Sequence, residues 1–180
     1  MNAGQSRRSA SAPAAIARND AMVPRDVDHF RAMTLFVESS DSVKAARDMA
    51  RATLLDWNLS HLVDDVRLVV SELVGNVVHH AVPDNWLARP GAARRLDVSL
   101  RMWPRWLFVG VTDEDSSPPT LATGDVFSPE LVDGFPEAML PDGGRGLRIV
   151  RALADELWWS PEEDGGKTVF CRFDLDGASA

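Results

Sequence analysis

The chain has 180 residues, 45% of them hydrophobic and 26% charged, a balance that fits one globular domain with a real core and not a disordered or fibrous chain. Nineteen basic against 27 acidic residues leave a formal charge of −8, which argues against direct nucleic-acid binding because that needs a basic face. Cys171 is the only cysteine, so neither a disulfide frame nor a multi-cysteine metal site is available, and no apolar run reaches the roughly 18 residues of a membrane span.

Residues 1–28 are rich in Ser, Ala, Arg and Asn and show no hydrophobic period. They read as a disordered tail ahead of a domain over 29–176, with a short C-terminal tail at 177–180. Arg31 to Glu38 reads as a strand. Ser39 to Asp41 offer capping oxygens for a helix through about Trp57, whose core face would carry Val43, Ala46, Met49, Ala50, Thr53 and Leu54. Asn58 and Leu59 break it, and Ser60 can cap the next helix, with Asp64 and Asp65 near its positive end.

That second helix contains Val66 to Ala81, VRLVVSELVGNVVHHA, with Val66, Val69, Leu73 and Val77 at three- and four-residue steps. At 100° per residue, Glu72, Asn76 and His79 fall within an arc of about 60°. A carboxylate, an amide and an imidazole on one stripe suit a metal–phosphate site: the amide oxygen can ligate a hard cation, and the carboxylate can take a proton or hold a water. The same stripe also fits a partly solvated helix face. Pro83 ends the helix, and a loop follows to 93.

Leu96 to Met102 alternates strictly, a turn at Trp103–Trp106 follows, and Leu107, Val109 and Val111 carry the same face on to Asp113. The period therefore aims a carboxylate inward at a strand end, where an unpaired charge is costly and needs a donor. The donor could be an arginine, a backbone N–H at the turn, or the exocyclic amine of a ligand.

From Glu114 to Gly144 the chain is irregular, punctuated by prolines, free of Lys and Arg, and carries seven acids. Such a length without regular structure suits a lid or binding loop, with a short helix expected near Ser128-Pro129-Glu130. Gly143-Gly144-Arg145-Gly146 then runs into the helical pattern LRIVRALAD. A glycine turn entering a helix N-terminus can hold an anion, and Arg145 could contact phosphate. Leu157–Ser160 and Lys167–Leu175 read as a closing hairpin, with Val169, Cys171, Phe173 and Leu175 on one face and the Thr168 hydroxyl on the other. Mixed strands and helices in this order predict an α+β sandwich: a mixed, mostly antiparallel sheet with helices on one face.

Three motifs in order, SELVGNVVHHA, VTDEDSSPP and GGRGLRIV, with GKTVFCRF after them, make the chain resemble the Bergerat-fold ATPase domains of the gyrase, chaperone, histidine kinase and MutL superfamily. Within it the chain is similar to the anti-sigma-factor serine kinases, over about Arg31 to Leu175. The resemblance implies a two-layer sandwich with an ATP lid. It implies Asn76 as ligand to Mg²⁺ bridging ATP phosphates, and Glu72 as general base or water-orienting carboxylate. It implies Asp113 as acceptor for the adenine amine, with Thr168 in support. Gly144, Arg145 and Gly146 would hold the phosphates, His80 matches the family's histidine before alanine, and His79 would contact phosphate when protonated. The implied function is a cytoplasmic Mg-ATP-dependent serine/threonine protein kinase that phosphorylates a small antagonist protein and regulates a sigma factor. Those two proteins would be its partners, and relatives often form homodimers. The alternative is a non-catalytic partner-binding module with weak or no ATP binding. Many members of the superfamily carry D-x-G-x-G in the adenine motif; here Asp113-Glu114-Asp115-Ser116-Ser117 lacks both glycines, a version familiar among the kinases the chain is similar to.

Overall fold

A computed structural model of the chain describes residues 28–84, 93–119 and 145–175. The expected N-terminal tail (but for Asp28), most of the loop after Pro83, the short helix near Ser128, the lid beyond Pro119 and the last residues of the chain lie outside them. The described elements are β1 (His29–Phe36), α1 (Ser42–Asp56), α2 (Val63–His80), β2 (Arg95–Met102), β3 (Trp106–Asp113), α3 (Arg145–Leu153), β4 (Glu156–Pro161) and β5 (Lys167–Asp174). Five strands form one sheet in the order β1-β2-β3-β5-β4.

Every strand pair in that sheet is antiparallel, so the mixed sheet expected from the sequence is antiparallel throughout the described residues. The connections explain it. Two helices lie between β1 and β2, and they return the chain reversed beside its starting strand. From β3 the chain passes through α3 to β4, which runs in the same direction as β3. A parallel pair would form there, but β5 lies between the two and pairs antiparallel with each.

The alternation read from the sequence sets the core. Leu96, Val98 and Leu100 of β2, Leu107, Val109 and Val111 of β3, and Val169, Cys171 and Phe173 of β5 are all buried on one face of the sheet. Against them pack Ala46, Ala50 and Leu54 of α1, Val66, Val69, Val70, Leu73, Val74 and Val77 of α2, and Leu147 and Val150 of α3. Each of the larger side chains contributes roughly 1.5–3 kcal/mol by leaving water. The opposite face has no helix among the described elements. It carries an aromatic run in which Phe108 meets Trp103 and Trp158 edge-on, and Trp158 stacks on Phe170.

Helix starts differ from expectation. Ser60–Leu62 forms a 3-10 turn, and α2 begins only at Val63, with Leu62 at its cap and no side-chain capping bond. Asp64 and Asp65 still sit in its first turn, where they complement the helix dipole. Asn58 ends the link from α1 in the left-handed region at φ 60°, a conformation Asn tolerates better than most residues.

Candidate functional site

The floor of the site is the end of β3 beside the start of β5. The antiparallel register sets Asp113 opposite Lys167, and both side chains point to the helix side, because Val111 and Val169 next along each face do. Both are buried, at 5% and 6% exposure. The Lys167 ammonium donates to Asp113 Oδ1 at 3.0 Å and to the Asp115 carbonyl at 2.8 Å, and lies 3.6 Å from the Asp115 carboxylate. Asp113 Oδ1 also accepts from the Asp115 backbone N–H at 2.9 Å. One oxygen of Asp113 is thus held twice, and no described residue takes Oδ2. Burial pushes the Asp113 carboxyl above the usual carboxylate range, against the pull of Lys167 and the Asp115 N–H.

Beyond β3 the chain is fastened by its own side chains. Asp115 Oδ1 accepts from the Ser117 N–H, repeating the two-residue step by which Asp113 holds Asp115. Its Oδ2 accepts from the Val82 N–H just past α2. Burial raises the Asp115 pKa, but these backbone bonds and the Lys167 charge outweigh it and hold the group below its ordinary value. Asp84 accepts from the backbone and hydroxyl of Ser116, which also lower its pKa, and the Gly166 N–H donates to the Ser116 hydroxyl at 2.7 Å. Two Asx-type turns therefore hold the backbone from Asp113 to Ser117, and Asp115 is not at positive φ. Glycine is required instead at Gly166. Its φ is +91°, and a Cβ there would lie 2.1 Å from the Asp113 carbonyl oxygen.

α2 forms one wall. Asn76 and His80 line the pocket with Leu73 and Val77, across from Asp113 and Lys167. Pro118 and Pro119 and Leu147 close it from the other sides. Glu72 is half-buried one turn before Asn76, and its carboxylate lies against α3: a Cβ on Gly146 would come within 2.6 Å of Glu72 Oε2. Neither Glu72 nor Asn76 has a hydrogen-bond or ion-pair partner among the described residues.

The structure thus brings Asn76 and Asp113 to one cleft, and sets Glu72 against Gly146 one helical turn before Asn76. His79 is exposed and does not line the cleft; His80 does, because the helix turns it toward the strand end. Thr168 is not brought to the cleft. It faces the outer side of the sheet, where its hydroxyl shares a 2.7 Å hydrogen bond with Thr112 and bonds Glu162. Gly144 lies outside the described residues, as does the side chain of Arg145, whose backbone begins α3.

Sequence reasoning missed Lys167 and Asp115. The signal for Lys167 was present: the period that put Val169 inward puts Lys167 inward too, at the place where Asp113 needed a cation. Asp115 had no such signal, since its inward turn depends on a bond to Val82, 33 residues away.

The donor set fits an anionic ligand with its own cation. Among the described residues no group of three or more His, Cys, Asp or Glu side chains is gathered for a metal. The Asn76 amide can supply one oxygen to a hard cation that takes its remaining ligands from phosphate and water, as Mg²⁺ commonly does. The α3 N-terminus with Gly146 can face negative charge, and Asp113 Oδ2 can accept from an amine. In comparisons with known proteins, the profile of the histidine kinase-like ATPase domain matches residues 36–173. No match was found among curated proteins.

Proposed function

This chain belongs to the histidine kinase-like ATPase domain family, and on that premise we propose that it is an Mg-ATP-dependent serine/threonine protein kinase of the anti-sigma-factor type. It phosphorylates a small antagonist protein and so controls release of a sigma factor. One observation supports the reading: Glu72 and Asn76, one turn apart on α2, have no partners among the described residues and stand beside a cleft whose far end is a buried carboxylate. Asp113 reads the base amine, and Asn76 holds the Mg²⁺ that neutralises the phosphates. Glu72 orients the attacking hydroxyl or takes its proton. Phosphoryl transfer asks for little more than this positioning and charge neutralisation.

Calorimetric titration of Mg-ATP into wild type and Asp113→Asn tests it. Saturable, Mg-dependent binding that the variant loses supports the reading. No binding by wild type up to ~1 mM, an affinity of about −4 kcal/mol, sinks it.

The fastened segment from Asp113 to Ser117 favours a second reading, in which the domain holds a protein partner and ATP is a conformational ligand or has no part. Glu72→Gln separates the two: it abolishes transfer under the first and leaves partner binding intact under the second.

A further inference from the structure

Asp113 meets the pocket with half a carboxylate. Oδ1 accepts from two internal donors, the Lys167 ammonium at 3.0 Å and the Asp115 N–H at 2.9 Å, while no described residue takes Oδ2. The arrangement is built in: Lys167 is 6% exposed, is the register partner of Asp113, and is pinned from a second side by the Asp115 carbonyl at 2.8 Å. We infer that Lys167 is a specificity-determining residue, which withholds one oxygen of Asp113 so that the cleft reads a purine through a single amine contact and denies guanine its two-point contact.

The chemistry follows from the donors on each base. Adenine offers a carboxylate one exocyclic N–H, and one open oxygen satisfies it. Guanine offers N1–H and the N2 amine side by side, and a carboxylate matches them only with both oxygens open. With Oδ1 taken, the guanine N2 amine would enter the cleft without an acceptor, and an unmatched buried donor is costly. Lys167 acts here through Asp113 and not by touching the base. The inference rests on the nucleotide reading above.

The test uses ADP, GDP and IDP, the last being guanine's analogue without the N2 amine, titrated calorimetrically into the full chain with Mg²⁺. Wild type is expected to prefer ADP over GDP by about tenfold or more, and to bind GDP about fivefold or more weakly than IDP, since the amine is buried without an acceptor. Lys167→Met frees one acceptor site on Oδ1, the Asp115 N–H keeping the other, so the ADP:GDP ratio narrows by about tenfold and GDP overtakes IDP. Lys167→Arg restores the wild-type ratio. An unchanged ADP:GDP ratio in Lys167→Met, or equal loss of both nucleotides, overturns the inference and leaves Lys167 a structural residue. GDP binding tenfold tighter than IDP in wild type overturns it without any variant, which covers the case in which Lys167→Met does not fold. Failure of wild type to bind any of the three removes the nucleotide reading itself, a distinct outcome.

Discussion

The two sides of the cleft are built on opposite principles. On the strand side, Asp113, Asp115 and Lys167 are buried and bonded to one another, and Gly166 and Ser116 lock the backbone around them. On the helix side, Glu72 and Asn76 are half-buried and take no partner among the described residues. Polar groups held in low dielectric are fixed and costly to disturb, whereas half-exposed groups keep water and stay free for a ligand. The strand side is therefore where shape and stability are decided, and the helix side is where chemistry has room. Substitutions should divide the same way.

The largest effect is expected on the helix side and on turnover alone. Glu72→Gln should lower phosphotransfer by about 10²–10⁴-fold, the usual worth of a general base, with urea unfolding and nucleotide affinity nearly unchanged. If stability falls as well, Glu72 belongs with the internally bonded side and the contrast fails. Gly166→Ala should do the reverse. Its methyl group would meet the Asp113 carbonyl in a backbone conformation that disfavours side chains, and a loss of about 3 kcal/mol in equilibrium unfolding is expected.

Asp113→Asn sits on the boundary. It should weaken nucleotide binding by about tenfold or more, because an amide replaces a charged acceptor. It also carries a pH signature. Burial raises the folded pKa of Asp113 above its unfolded value, so between those two values the native state holds more protons than the unfolded one. Wild-type stability should therefore gain from Asp113 as pH falls through the raised value, a gain absent from Asp113→Asn. Asp115 acts in the opposite sense: its lowered pKa gives stability that is present above the unfolded value and lost as pH falls through the folded one. The difference between the stability–pH curves of wild type and Asp113→Asn isolates the first effect.

The smallest effect is expected at Thr168→Val. The hydroxyl pairs with Thr112 on the outer face, so about 1 kcal/mol of stability should go while nucleotide affinity stays within about twofold. A clear loss of affinity would mean that Thr168 reaches the cleft after all.

Much of this was legible in the sequence because periodicity is a local property. The alternation through Leu96, Val98, Leu100 and again Leu107, Val109, Val111 fixed the buried face and carried Asp113 inward with it. The 3.6-residue spacing likewise put Glu72 and Asn76 on one stripe. What could not be read depends on contacts between distant segments. Asp115 looks like one more acid in an acidic stretch until Val82 and Lys167 are brought beside it. His79 and His80 differ by 100° of helix rotation, and which one meets the cleft depends on where the strand end falls. Thr168 was placed in the site by resemblance, although its own alternation with Val169 already turned it away.

Cys171 lies fully buried at the centre of β5, between β3 and β4, and burial pushes its thiol far above the usual range for ionisation. A thiol reagent attacks the thiolate, so modification must wait until the middle of the sheet parts. With no other sulfhydryl in the chain, the rate of labelling becomes a clock for that opening alone, read without adding a probe or changing a residue.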